Sequence, residues 1–377
     1  MFGHRITLFR LMGFAVRVDA SWIVIALVVT WTLATGVFPH YYKGLPNATY
    51  WWMGVGGMLG LFASIVFHEL SHSLVARQFG IEMKGITLFI FGGVAEMENE
   101  PPNPKSEFLM AIAGPLASYF LCAALYGAVV LGSTLGWAVP VLATLRYVAY
   151  MNGILATFNL IPAFPLDGGR VLRAILWGWK NNVRWATRVT SQMGSAFGTV
   201  LIMLGILSIL RGLLLSGMWW CLIGIFVRGA AAMSYQQLVI RKALEGESVR
   251  RFMSTDVVTV PASLSVADFV DDYVYQYHHK MFPVIDDGQL LGCVTTRQVK
   301  EVSRDQWPLR RVGDLASECS PENTIDAGAD ATQALAKMSG TDYARLMVME
   351  DEELVGVLAL KDMLKFIELK VDLEGGE

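Results

Sequence analysis

Six apolar stretches, each near the length a lipid bilayer demands, fill the first 240 residues of this chain: 22–38, 52–76, 107–133, 146–176 (interrupted), 193–215 and 217–236. A helix needs about 20 mostly apolar residues to cross the hydrocarbon core. Water is absent there, so backbone N–H and C=O groups must be satisfied within the segment, and runs of this kind fold as helices. The chain has 377 residues, of which 54% are hydrophobic, and its mean hydropathy is +0.45. That exceeds an ordinary soluble protein. The excess is uneven, because residues beyond about 245 read as a charged, soluble sequence. The break near Glu245-Gly246-Glu247 separates a membrane part, 1–243, from a tail, 244–377.

Lys and Arg flank the spans with a bias that sets orientation. Arg5, Arg10 and Arg17 precede the first span; Arg77 and Lys84 follow the second, and Lys105 precedes the third. Arg170, Arg173, Lys180, Arg184 and Arg188 surround the end of the fourth, and Arg241 and Lys242 follow the sixth. All fall on one side, which places both termini and the tail in the cytoplasm of a multi-pass cell-membrane protein. Arg146, Arg211 and Arg228 depart from the pattern. Ala34-Thr35-Gly36 resembles a signal-peptide cleavage site, but the first span equally fits an uncleaved anchor. A net charge of -3 with no basic stripe gives no nucleic-acid signal. The four cysteines, Cys122, Cys221, Cys293 and Cys319, are widely spaced and form no CxxC, which argues against a disulfide framework or a cysteine zinc site.

The second span reads Ile65-Val66-Phe67-His68-Glu69-Leu70-Ser71-His72. On a helix His68 and His72 stand one turn apart on one face, so both imidazoles can reach a single zinc at about 2.0 to 2.1 Å. Glu69 borders that face and is placed to act as general base on a water at the metal. An HExxH pattern is common by chance. Its position inside an apolar span is not, since a carboxylate at bilayer depth costs on the order of 2.5 to 3.5 kcal/mol and marks functional sites. The competing reading is a polar knot that glues helices together.

A catalytic zinc with an open position takes three protein ligands. The best third donor in the membrane part is Asp167, in Asn159-Leu160-Ile161-Pro162-Ala163-Phe164-Pro165-Leu166-Asp167-Gly168-Gly169. Two prolines and two glycines break the segment, and broken backbone at membrane depth belongs in protein or beside a wet cavity. A turn-forming Asp before Gly-Gly is the alternative.

These two motifs, about 95 residues apart (167 − 72), resemble those of the site-2 proteases, the zinc intramembrane metalloproteases. The resemblance implies one Zn2+ per chain held by His68, His72 and Asp167, with Glu69 activating water. It also puts Asn159 near the metal, where its amide can hydrogen-bond a substrate carbonyl or oxyanion; an interhelical hydrogen bond is the alternative. Gly85 to Met97 contains two β-prone runs flanking Gly92-Gly93, a hairpin-type turn signal. Such a hairpin can accept an extended substrate at its edge, or be an ordinary hairpin at the membrane surface. The resemblance likewise implies a membrane-associated sheet between the second and third spans. Ala113-Gly114-Pro115-Leu116-Ala117 in the third span supplies small residues for close helix packing.

In the tail, Phe282 to Thr295 repeats as Leu346 to Ala359, 64 positions later (346 − 282). Each half runs strand, acidic turn, strand, helix. This resembles a tandem pair of CBS domains, about 249–303 and 309–369, and Met253 to Val260 is similar to the usual opening of the first. Such pairs often bind adenine nucleotides through a Thr and an Asp. Here Thr295 is followed by Gln298 where Asp is expected, and Asp362 is preceded by Ala359 where the hydroxyl is expected. A dimerisation or docking module is therefore as consistent as a nucleotide sensor. His278 and His279 fall on an expected helix as a solvated pair.

The expected fold is thus an α-helical polytopic membrane protein of about six transmembrane helices with a small membrane-associated β-sheet, followed by an α/β tandem CBS tail. The expected activity is zinc-dependent cleavage of transmembrane segments of membrane-anchored regulators. By resemblance, the substrates are single-span proteins such as anti-sigma factors, already shortened by a first protease. Two other readings fit part of the pattern: a transporter or channel regulated by the CBS pair, with Glu69 and Asp167 on an ion path, and an inactive relative that binds membrane segments without cutting them.

Overall fold

The structure, a computed structural model, describes residues 5–81, 83–89, 92–97, 101–341 and 343–374. It divides into two compact units, Met1–Gln236 and Gln237–Glu377. The first begins with strands β1 (Arg5–Leu11) and β2 (Phe14–Asp19). The side chain of Asp19 accepts a hydrogen bond from Ser21 N–H and so caps helix α1 (Ala20–Thr32). A π-helical turn over Leu33–Val37 joins α1 to α2 (Phe38–Tyr41), and the three form one continuous span. Next come α3 (Asn47–Gln78), β3 (Met83–Phe89), β4 (Gly92–Met97), α4 (Pro104–Thr134) and α5 (Val139–Asn159). α6 (Asp167–Lys180), α7 (Val183–Leu210) and α8 (Leu214–Leu244) complete the series. Among the described residues six helices are long and apolar enough to cross a membrane: Ala20–Tyr41, α3, α4, α5, α7 and α8.

The stretch 146–176 is not one interrupted span. α5 ends at Asn159, and the apolar residues beyond it belong to the separate, amphipathic α6. Hydrophobicity continues across the break because the connecting residues 160–166 are mostly apolar and α6 itself carries Val171, Leu172, Leu176 and Trp177, all half-buried. Asn181 ends α6 in a left-handed conformation, and the next residue, Asn182, caps α7 by accepting from Trp185 N–H.

β1 to β4 form one sheet in that order, with β2 and β3 parallel and the outer pairs antiparallel. The β1–β2 hairpin lies in the basic segment before the first span, where the sequence predicts only a charged flank. Gly92 pairs with Phe89 and Gly93 with Leu88, so these glycines open β4 and do not make the turn. Ile90 and Phe91, between the strands, lie outside the described residues. Phe14, Val16, Val18, Ile86 and Leu88 bury one sheet face against Val66 and Leu70 of α3, the helix that carries the histidines.

α7 and α8 approach through glycines seven residues apart on each helix. A Cβ added at Gly198 would lie 2.7 Å from the Gly224 carbonyl oxygen, and one at Gly205 2.7 Å from that of Gly217. In lipid, where packing replaces hydrophobic driving force, such close backbone approach holds helices together.

In the second unit, β5 (Val260–Pro261), α9 (Val266–Asp268), a π-helical turn, α10 (Tyr275–Tyr277), β6 (Met281–Asp286), β7 (Gln289–Thr295), α11 (Thr296–Glu301) and β8 (Ser317–Glu318) make the first half. β9 (Thr324–Asp326), α12 (Ala331–Gly340), β10 (Arg345–Glu350), β11 (Glu353–Ala359) and α13 (Leu360–Glu374) make the second. The sheets run β5-β6-β7-β8 and β11-β10-β9. The duplication extends to a register irregularity, which falls after Val284 in one hairpin and after Val348 in the other, again 64 apart (348 − 284). His278 and His279 lie beyond the end of α10, not on a helix. His278 takes a left-handed conformation, and His279 stacks on Tyr277 at 6.3 Å.

Replacing Gly224 with Leu is expected to force α7 and α8 apart and cost about 1–3 kcal/mol. A thermal unfolding curve of the detergent-solubilised full chain should show the lower Tm; an unchanged Tm would contradict this packing.

Candidate metal centre

Three potential ligand atoms converge inside the membrane unit. His68 Nε2 lies 3.1 Å from Asp167 Oδ2, His72 Nε2 lies 3.3 Å from the same oxygen, and the two Nε2 atoms are 3.2 Å apart. The histidines come from successive turns of α3, and Asp167 is the first residue of α6. His68 is 3% exposed and His72 8%. At 1.5 Å per residue, His68 stands about 15 Å and His72 about 9 Å along the axis from Gln78, where α3 ends.

The far side of each ring fixes what the near side can do. His72 Nδ1 donates to the carbonyl oxygen of Met110 at 2.7 Å. A carbonyl only accepts, so Nδ1 holds the proton, and the Nε2 of the neutral ring presents a lone pair. His68 Nδ1 lies 2.9 Å from Ser118 Oγ, whose hydroxyl can accept in the same manner. Two imidazole lone pairs and a carboxylate oxygen therefore face one another, an arrangement that repels unless a cation or proton stands between them. Tetrahedral coordination at about 2.0–2.1 Å requires ligand atoms about 3.3–3.4 Å apart, and the observed triangle has nearly those edges. The N, N, O donor set suits zinc with a fourth position open.

Met110, Gly114 and Ser118 all lie on α4 at helical spacing, and Gly114 faces the triangle directly. A Cβ added there would collide with His72 Nε2 and lie 2.7 Å from His68 Nε2. The small-residue stretch around Gly114 is thus more than helix packing: this glycine leaves the room that a metal would need. Residues 160–166 fold back on the start of α6, where Cβ atoms at Gly168 and Gly169 would strike the backbone of Leu160 and of Ala163. Asn152 of α5, buried, donates to Ser64 Oγ of α3 at 2.8 Å, one turn before His68.

Glu69 is half-buried on the sheet side of α3, and its Cγ would lie 2.8 Å from a Cβ at Gly93 of β4. Asn159 is half-buried as the last residue of α5. Arg173, which the sequence reading counted among the flanking charges, is 6% exposed and forms an ion pair with Glu107, itself wholly buried. Neither Met110, Ser118 nor Glu107 was legible as part of this centre; a backbone carbonyl carries no sequence signal, and a lone Ser or Glu in an apolar helix carries little.

In the tail, Thr295 caps α11, and its hydroxyl donates to Gln298 Oε1 at 2.7 Å. Gln298 Nε2 in turn donates to Leu315 O and Ser317 Oγ. Asp362 is exposed in the first turn of α13.

With this geometry in view, comparison with known proteins finds the model of peptidase family M50 matching residues 56–139 and 132–205, and the CBS domain model matching 249–305 and 312–369. Rip3 of Mycobacterium tuberculosis, named as a zinc metalloprotease, is 34% identical over 368 residues, covering 97% of this chain and 93% of the relative. The relative sll0528 of Synechocystis sp. PCC 6803, also named as a zinc metalloprotease, is 34% identical over 361 residues, covering 95% and 94%. Among solved structures, the site-2 protease from Methanocaldococcus jannaschii is 28% identical, with a TM-score of 0.42, covering 61% of this chain and 94% of that one.

Gly114→Ala is expected to abolish stoichiometric zinc uptake while leaving helix content intact. Elemental analysis of the purified chain beside far-UV circular dichroism checks both, and a zinc-replete variant would show that the glycine is only a packing residue.

Proposed function

The chain belongs to peptidase family M50, the site-2 proteases, membrane zinc metalloproteases that here carry a tandem CBS tail, and on that footing we propose that it cleaves the transmembrane segment of a single-span regulatory protein within the bilayer. The observation that carries this reading is the triangle of buried His68, buried His72 and half-buried Asp167, with edges of 3.1 to 3.3 Å. In the proposal these three residues hold one zinc. Zinc bound there supplies Lewis-acid chemistry, polarising a carbonyl and bringing the pKa of water toward about 7.

Glu69 is the general base. It takes a proton from the attacking water as the C–O bond forms, and delivers it to the amine nitrogen as the peptide C–N bond breaks, so that one water is added across one amide. The Asn159 amide donates to the substrate carbonyl oxygen as its negative charge grows. Hydrogen-bonded helix shields its own peptide groups, so the substrate has to be drawn out into an extended form. β4 is an edge strand of the sheet, and its Gly93 lies against Glu69. A substrate strand paired with that edge would run past the base.

The substrate class inferred is a single-span regulator such as an anti-sigma factor, shortened beforehand by another protease. The basic flanks support a reading in which both termini are cytoplasmic. The CBS pair is read as a docking or self-association module. The Thr295 hydroxyl is committed to its helix cap and Asp362 belongs to the other half, which disfavours adenine-nucleotide binding.

Co-expression of wild type or Glu69→Gln with a panel of tagged single-span membrane proteins tests the activity. A fragment is expected with wild type only, with a loss of at least about 10²-fold in the variant and zinc content unchanged. His68→Ala should lose zinc and cleavage together. Equal fragments with Glu69→Gln would remove the general base from the mechanism. Millimolar AMP or ATP is expected to leave the Tm of the full chain unmoved, and a rise would restore the nucleotide site.

A further inference from the structure

We propose that the buried Glu107–Arg173 ion pair is a positioning device for the metal centre, setting how far Asp167 stands from the two histidines and so how tightly the centre holds its metal. The inference rests on the reading of His68, His72 and Asp167 as ligands.

Glu107 lies in the first turn of α4 and is 0% exposed; Arg173 lies in α6 and is 6% exposed. The guanidinium engages the same carboxylate oxygen through both Nε and Nη2. It also touches the chain segment leading into α6, because it sits 5.1 Å from the ring centroid of Phe164, three residues before Asp167. Along α4, Glu107, Met110, Gly114 and Ser118 follow one another at intervals of three, four and four residues, which puts them on one face. Met110 and Ser118 hold the outer nitrogens of His72 and His68. One face of α4 therefore grips both histidines and, through Glu107, the helix that begins with Asp167.

α6 has no side-chain cap at Leu166, so no local hydrogen bond of that kind fixes where the helix starts. Arg173 is six residues on, about 9 Å along a rigid helix. An ion pair of this geometry is directional: the planar fork of arginine fixes rotation and register in a manner that apolar packing does not. An apolar pair of similar volume would join α4 and α6 as firmly without specifying either.

The test uses the full chain in detergent, with cobalt(II) as a spectroscopic probe and zinc affinity measured by chelator competition. Glu107→Gln removes the charge and keeps the shape, whereas Arg173→Lys keeps the charge and loses the fork. Each is expected to weaken zinc binding about 10- to 100-fold and to shift the cobalt absorption bands. The double variant Glu107→Leu, Arg173→Met restores apolar packing. It should melt like wild type and still bind zinc as weakly as the single variants, which a purely structural pair would not produce. If a single variant does not fold, the double variant decides. Folded variants with wild-type zinc affinity and an unchanged cobalt spectrum would overturn the positioning role alone. A wild-type chain that takes up neither cobalt nor zinc would overturn the ligand assignment as well.

Discussion

Mutual repulsion among two imidazole lone pairs and a carboxylate oxygen, brought within 3.1–3.3 Å of one another, is the constraint around which the membrane unit is organised. Without a cation or proton between them nothing holds three such atoms together, and surroundings poor in water cannot screen them. The neighbouring helices must do so. α4 supplies a carbonyl to orient one ring, a hydroxyl for the other and a missing side chain between them. α5 ties its Asn152 to α3 one turn from His68. The loop ending α5 folds so closely on the start of α6 that only glycines fit. Breaking the Glu107–Arg173 pair by removing one partner would leave a buried charge, a defect of about 3–5 kcal/mol. A polar interior of this kind is costly in a bilayer, and it accounts for where the non-aliphatic residues of α3, α4 and α6 lie.

The sheet solves a different problem. If the chain cleaves helices, as proposed, it needs a place where backbone can be extended and paired. An open strand edge survives at membrane depth only beside protein or water. On the proposed reading residues of α3 carry both requirements at once, since Val66 and Leu70 pack the sheet, Glu69 lies on the sheet side against Gly93, and His68 and His72 converge on Asp167. The alternation of apolar and functional positions around one helix thus joins the strand edge to the base and the metal.

Much of this was legible in the sequence where physical periods are strong. The apolar runs gave the number of spans, although the fourth joined the end of α5 to α6, and the four-residue interval from His68 to His72 gave one helical face. The broken, Pro- and Gly-rich stretch before Asp167 gave the partner that the structure brings to them. What the sequence concealed has common causes. β1 and β2 are short, and their arginines read as a flank. The apolar run after Asn159 hides a helix break because α6 is apolar on one side. Gly92-Gly93 has the composition of a hairpin turn, which glycine favours over strands, yet the pair begins β4. Arg173 looked solvated because a basic residue near a span end usually is, and only the wholly buried Glu107 shows otherwise. In the tail the 64-residue repeat was plain, whereas the end of α10 before His278 carried no Gly or Pro to mark it.

The three candidate ligands are split between α3 and α6, with 95 positions between His72 and Asp167 (167 − 72), and this has a consequence for how the molecule is made. At a synthesis rate of about 5–20 residues per second, roughly 5 to 20 s elapse between the emergence of the second histidine and that of the aspartate. Throughout that interval the growing polypeptide has two of its three donors, and α4, which steadies the rings, arrives before the third. A chain halted before Asp167 emerges therefore lacks a complete donor set, and α7 and α8 are added only after the three donors are all present.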